Sequence, residues 1–417
     1  MPAPPREDPP TDSDAEEEGD ECEYLLGFVE PPRKRADLLR HRFPSKVGGR
    51  PAWLDPLHLP SADQLTCRVT GKPLEFLLQV YAPVDDNPDA FHRTLSLFIS
   101  PDGDKLAQAG TVRALRCQLP RANRFYPPEP PKKTDVRPPQ LPEDDRRASL
   151  ARDRWRVLEH EQQAQQAQQA QQAPANGAAE EGTGESPGVG PGLSSAASAS
   201  QQELAAQEAA VGGGSGGGGD SSTAALAALL QVPPRLFPEA ELVVEPEAAD
   251  SDDDGAGRDE HVRQLVQQYK AAAAHGEEPS EEELPGSLVD ELEERVSPEQ
   301  RHFAAFQARV GKEPSQCLRY CFDAAARPLW PSCKRIPAAG DIPPCEHCGA
   351  PRKFEFQVMP QLIVHLGVPA DDSSAPDWGT IAVYSCSASC SSGVTPGASP
   401  PDESAYLEEF VWVQGPV

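Results

Sequence analysis

The chain has 417 residues, of which 32 are Gly and 47 Pro; 38% are hydrophobic, and the formal net charge is −28. An apolar fraction below the roughly 45–50% of ordinary globular domains excludes a chain that is compact throughout. No apolar run approaches the roughly eighteen residues of a membrane-spanning helix, so no membrane association is expected.

Residues 1–23, MPAPPREDPPTDSDAEEEGDECE, have neither a basic start nor an apolar centre. They read as a disordered acidic tail, with no secretory or transit signal expected. Residues 24–126 read as a β-rich lobe. LEFLLQVY (74–81) is apolar and bounded by prolines, and RTLSLFI (93–99) and TVRALRCQ (111–118) alternate with period two. Trp53, in FPSKVGGRPAWL, reads as a core residue.

Residues 127–297 read as a low-complexity acidic linker. They begin proline-dense, pass through EQQAQQAQQAQQA (161–173), and become Gly/Ser-rich over 181–220. Short helices are expected within them at 221–231 and at 258–275, where Val262, Leu265, Val266 and Tyr269 share one helical face. Residues 298–417 read as a second β-rich domain. A helix is predicted from Ser297 or Pro298 to Gly311, with Phe303, Phe306 and Val310 at helical spacing. KFEFQV (353–358), TIAVYS (380–385) and EFVWVQ (409–414) follow as strands, with Trp378 and Trp412 read as core. The fold class is therefore α+β and mostly β, two β-rich lobes joined by a long disordered linker and free to pack into one unit. Residues 24–126 carry 15 basic and 10 acidic side chains, and 301–417 carry 9 and 12. The acidity thus lies almost wholly outside the lobes, in stretches that repel phosphate and favour a basic protein partner.

The clearest chemistry is in the ten cysteines. Without a secretory signal they are expected to be reduced thiols. Cys345 and Cys348 form a C-x2-C pair before one predicted strand; Cys386 and Cys390 form a C-x3-C pair after another. Adjacent strands can bring two such knuckles together around one tetrahedral Zn²⁺, for which thiolate is a suitably soft ligand. Four sulfurs leave no open position for water, so the expected ion is structural, one per chain. His347 is an alternative ligand or a solvent-facing loop residue. Cys317, Cys321 and Cys333 read as small buried hydrophobes or as alternative ligands, and Cys22 as a free exposed thiol. No G-x-S-x-G, P-loop, G-x-G-x-x-G or H-E-x-x-H motif is present, so no enzyme is expected.

LLGFVEPP (25–32), PLEFLLQVYAPVD (73–85), FHRTLSLFI (91–99), IPPCEHCGAPRKFEFQVMPQLIVHL (342–366), DWGTIAVYSCSASC (377–390) and EEFVWVQ (408–414) occur in that order. In these strings the chain resembles the programmed cell death protein 2 family, specifically its shorter members without a MYND zinc finger. The resemblance implies a dedicated chaperone that captures a newly made, basic small-subunit ribosomal protein in 40S ribosome biogenesis and rRNA maturation. It implies a cytoplasmic location with nuclear shuttling, and no sequence-specific nucleic-acid contact; a monomer is expected. The alternative is a nuclear scaffold in transcription or cell-death regulation. Relatives show a C-x2-C before the PLEFLLQVYAP strand and further cysteines after FHRTL. Here Thr70 replaces the partner of Cys67 and no cysteine follows Ile99, so the first-lobe zinc site is expected to be lost.

Overall fold

The six segments read as strands all form strands, five with the two-residue period that matches the pleat and LEFLLQVY as an apolar run buried on both faces. The computed structural model describes residues 22–153, 155, 235–248, 297–369, 371–394, 399–400 and 403–416. Its strands are β1 (Leu25–Glu30), β2 (Lys46–Val47), β3 (Glu75–Tyr81), β4 (His92–Ile99), β5 (Val112–Leu119), β6 (Ala240–Pro246), β7 (Leu318–Tyr320), β8 (Arg352–Val358), β9 (Thr380–Cys386) and β10 (Leu407–Gln414). Helix α1 spans Glu143–Arg152 and helix α2 spans Pro298–Gly311. The start of α2 is the predicted one: Ser297 accepts the Gln300 N–H, and Gln300 reaches back to the Ser297 N–H. No helix among the described residues is long and apolar enough to cross a membrane. The helices expected at 221–231 and 258–275 lie outside the described residues.

The strands close into one antiparallel barrel in the order β1, β6, β2, β3, β4, β5, β10, β9, β8, β7, with β7 returning to β1. The two lobes are therefore two halves of a single sheet, joined at the β5–β10 and β1–β7 seams. Within the stretch read as linker, AELVVEP forms β6 and slots between β1 and β2. Its composition hid it: one buried leucine, Leu242, stands among glutamates. Two further glutamates, one beyond each end, anchor the strand. Glu239, before β6, pairs with the buried Lys46 of β2. Glu247, after β6, pairs with Arg319 of β7 at 2.7 Å and Arg309 of α2 at 2.9 Å. The same stretch supplies Trp155, which is fully buried against Trp53 and Phe98.

Both faces of the central strands are buried, for two reasons. Inside the barrel, Leu78, Leu95, Leu97, Val112, Phe356, Val358, Ile381 and Val383 form the main core. Outside, loops cover the sheet: Trp53, Leu57, Phe76, Phe98, Leu115 and Tyr406 pack over the first half. Trp330 and Trp412 flank Phe354 and Tyr384 over the second. Trp53 and Trp378 are core residues as expected, while Trp412 is only half-buried.

The two halves are copies of one design. Cys67-x2-Thr70-Gly71-x-Pro73-x2-Phe76-x2-Gln79-Val80 recurs as Cys345-x2-Cys348-Gly349-x-Pro351-x2-Phe354-x2-Gln357-Val358. The registers agree: Phe76 faces Phe98 as Phe354 faces Tyr384, and a bulge follows each phenylalanine. Gln79 accepts the Ala52 N–H at 2.7 Å, and Gln357 accepts the Leu329 N–H at 2.6 Å. Each of these N–H groups lies in an Arg-Pro-x-Trp string, 50–53 and 327–330.

Candidate metal centre

The turn before β8 is built around Cys345. Its N–H donates to Ala350 O at 2.8 Å, and the Gly349 N–H donates back to Cys345 O at 2.8 Å. Closing so tight a turn requires φ +75° at Gly349, a conformation glycine adopts without a Cβ clash. After β9, Ser387 N–H donates to Pro351 O and Ser389 N–H to Cys386 O, with Ser389 itself at φ 44°. β8 and β9 pair with Arg352 opposite Cys386, so the two turns face each other.

The result is a four-thiol cluster. The sulfurs of Cys345, Cys348, Cys386 and Cys390 lie within 4.8 Å of one another. Cys345 and Cys390 are 3.7 Å apart, and Cys348 and Cys386 are 3.5 Å apart. A tetrahedral ion with metal–sulfur bonds of about 2.3 Å separates its ligands by about 3.8 Å, so these two pairs already stand near the spacing that one ion requires. Among the described residues, no other group of three or more His, Cys, Asp or Glu side chains converges in this way. The Ala350 N–H draws the Cys348 thiol down to about 7, whereas burial pushes the Cys386 and Cys390 thiols up. A divalent cation would displace the remaining protons and offset half of the charge of the four thiolates, cross-linking these two turns.

A buried polar network holds the cluster from behind. The Glu409 carboxylate accepts Arg116 Nε at 2.6 Å, Arg352 Nε at 3.0 Å and the Cys386 N–H at 3.1 Å. Arg116 Nη1 donates to Cys390 O at 2.7 Å, and Arg352 donates to Pro343 O and Pro344 O just ahead of Cys345. From the first half, Asn87 and Gln118 both donate to Ser389 O. Sequence reading missed these residues, because an arginine in an alternating strand reads as solvent-facing. The Cys-x2-Cys/Thr-Gly repeat was the available signal.

The other candidates lie apart from the cluster. His347 is exposed. Cys317 and Cys321 are buried and pushed up to about 11 by that burial, but Cys333 is exposed, not buried as expected. Nor is Cys22 exposed as expected: it is in no disulfide but is half-buried against Cys321 and lies 3.7 Å from Asp323 Oδ1.

The first half keeps the turn and only one of its sulfurs, that of Cys67. Cys67 N–H donates to Lys72 O, Gly71 N–H donates to Cys67 O, and Gly71 has φ +67°. By register, Ser100 occupies the place of Cys386. Burial raises the Cys67 thiol, but hydrogen bonds from Thr70 and Ser100 outweigh it and leave the thiol lowered overall. Hydrogen bonds hold the lone sulfur of this copy.

A duplicated, closed β-barrel with a four-cysteine turn pair at the ends of β8 and β9 defines a scaffold with a cluster able to hold one metal ion. The family described as "Programmed cell death protein 2, N-terminal domain" matches residues 23–133, and "Programmed cell death protein 2, C-terminal putative domain" matches 300–415. Programmed cell death protein 2 of Rattus norvegicus is 36% identical over 390 residues, covering 93% of this chain and 95% of that protein. Programmed cell death protein 2-like of Mus musculus is 33% identical over 169 residues, 40% of this chain and 43% of that one. Probable 20S rRNA accumulation protein 4 of Schizosaccharomyces pombe is 29% identical over 135 residues, 30% of this chain and 31% of that one. No solved structure matches. The chain belongs to the programmed cell death protein 2 family.

Proposed function

We propose that this protein is a dedicated escort for a newly made, basic ribosomal protein of the small subunit, acting in 40S ribosome biogenesis and rRNA maturation. The observation that carries the reading is the likeness to the fission-yeast relative named for 20S rRNA accumulation. The formal charge of −28 supports it, because long-range attraction speeds capture of a basic client and shields it from RNA. In this reading the chain is a binding protein and not an enzyme. It works as a monomer in the cytoplasm, shuttles to the nucleus, and makes no sequence-specific nucleic-acid contact of its own. The clasp holds one structural Zn²⁺ on Cys345, Cys348, Cys386 and Cys390, since four thiolates suit zinc and leave it no open position.

Affinity purification of the tagged full-length protein from cells, at low and at raised salt, tests the escort role. One dominant basic small-subunit ribosomal protein is expected. Its recovery should fall with salt, since exposed charges are screened over about 8 Å at physiological ionic strength. Recovery of chromatin factors without any ribosomal protein would replace this reading with a nuclear scaffold in transcription or cell-death control.

A further inference from the structure

The outer faces of the two halves are covered unequally. Over the first, Phe76, Phe98 and Leu115 are at most 1% exposed. Trp53 and Trp155 both pack on Phe98 there. Trp155 belongs to the stretch read as linker, whose Leu141 and Ala148 join the same cluster and whose Asp145 pairs with Arg124. The linker thus seals the first half with α1 and the tryptophan that follows it.

By register, Phe354, Tyr384 and Trp412 stand over the second half where Phe76, Phe98 and Leu115 stand over the first. Trp330, in the second Arg-Pro-x-Trp string, takes the place of Trp53. The rings of Phe354, Tyr384, Phe410 and Trp412 form a row across β8, β9 and β10, with successive centroids 6.0, 6.1 and 6.4 Å apart. Yet Trp330, Phe410 and Trp412 are only half-buried. Ile336, next to the Arg335 carbonyl that accepts the Trp412 indole N–H, is 41% exposed. Among the described residues this cluster has no counterpart of Trp155.

Residues 249–296, outside the described set, begin and end beside this face. Tyr24 and Trp330 both pack on its cluster. Just before 249, the Glu247 N–H donates to Tyr24 O at 2.7 Å. Just after 296, His302 Nε2 lies 2.9 Å from Trp330 O, and Glu299 pairs with Lys334 at 2.6 Å. Between these points the sequence spaces Val262, Leu265, Val266 and Tyr269 to share one helical face. The nine residues 249–257 let that stretch reach about 30 Å from its point of departure. Acidic runs flank it, DSDDD at 250–254 and EEPSEEE at 277–283, while exposed Arg327 and Arg335 rim the aromatic face. Opposite charges therefore draw the segment toward the face.

We propose that residues 258–275 of this same chain dock on the second half as an amphipathic helix. Val262, Leu265, Val266 and Tyr269 lie against Trp330, Phe410 and Trp412, covering this copy as α1 and Trp155 cover the other. The docking goes beyond the escort reading and does not depend on it.

The test uses the full-length chain with Tyr269 replaced by the photo-cross-linker p-benzoylphenylalanine. Irradiation followed by peptide mapping should join position 269 to peptides holding Trp330 or Phe410 and Trp412 of the same chain. Links elsewhere on the barrel, or no link, would overturn the proposal; links between two chains would give the face to a second copy and overturn it equally. Hydrogen exchange in the chain without the cross-linker supplies the second readout. Amides of 258–275 should exchange about tenfold faster in Leu265→Asp than in the wild type. Gln264→Asp, on the opposite side of the helix, should leave them protected. Thermal melts confirm that both variants keep the barrel. Exchange in the wild type as fast as in Leu265→Asp, or equal loss in Gln264→Asp, would refute the docking.

Discussion

Glu409 is the point at which the metal clasp and the barrel seam meet, and Glu409→Gln separates their contributions. The wild-type carboxylate accepts three donors, Arg116 Nε at 2.6 Å, Arg352 Nε at 3.0 Å and the Cys386 N–H at 3.1 Å. Glutamine keeps the shape but offers one oxygen, and its NH₂ must face a guanidinium. Both arginines, whose side chains are 1% and 3% exposed, then lose their counter-ion, and one of them also loses its acceptor. Breaking a buried pair in this way costs about 3–5 kcal/mol, a large share of the roughly 5–15 kcal/mol that stabilises a domain. Because Arg116 also holds Cys390 O and Glu409 holds Cys386 N, metal affinity should fall by about 10- to 100-fold, the usual effect of losing a residue that orients ligands. Urea unfolding followed by circular dichroism reads the first quantity, and competition with a chromophoric chelator reads the second. Glu408→Gln is the control: among the described residues that carboxylate pairs with Arg68 and Arg113, away from the four-cysteine turns. The reasoning fails if Glu409→Gln holds metal as tightly as the wild type, or if Glu408→Gln weakens it equally.

Three further outcomes are expected. Elemental analysis should give one zinc per chain; chelation, or Cys345→Ser, should melt both halves together because they share one sheet, and a first half that keeps its near-UV signal would refute this. Arg93 and Glu355, both fully buried, meet at 2.5 and 2.8 Å inside the barrel. Arg93→Met alone should cost about 3–5 kcal/mol, and adding Glu355→Leu should recover most of it; a double variant as unstable as the single one would contradict that. Burial holds His92 down to about 4 against an ordinary 6.5. The unfolded chain therefore takes up this proton first, and stability should fall as pH drops from about 6.5 to about 4, by about 3 kcal/mol for this group. His58, raised by its hydrogen bond to Asp55, acts in the opposite sense: its contribution is complete below 6.5 and is lost as pH rises through its folded value. The pH dependence of the His92→Phe melting temperature isolates the first effect, and an unchanged acid slope in that variant would refute it.

Much of the metal clasp could be read from spacing. The Cys345–Cys348 and Cys386–Cys390 pairs border β8 and β9, and neighbouring strands bring their ends together. What spacing does not carry is the support behind them. Arg116 and Glu409 come from β5 and β10, 293 residues apart, and meet only because those strands pair. β6 was equally hidden, since a strand that earns its place through end-on glutamates looks like acidic linker.

Local pattern alone determined six strands, the capped helix and the two cysteine pairs, because pleat, helical turn and knuckle are each set within a dozen or so residues. Tertiary structure alone decided that the lobes close into one barrel, that β6 fills the gap between β1 and β2, and which polar side chains go inside. Strand pairing is chosen among distant partners, and joining the ends of a long loop costs only about 0.6 kcal/mol more per doubling of its length. Sequence separation therefore says little about which edges meet; complementary faces and buried charges settle it.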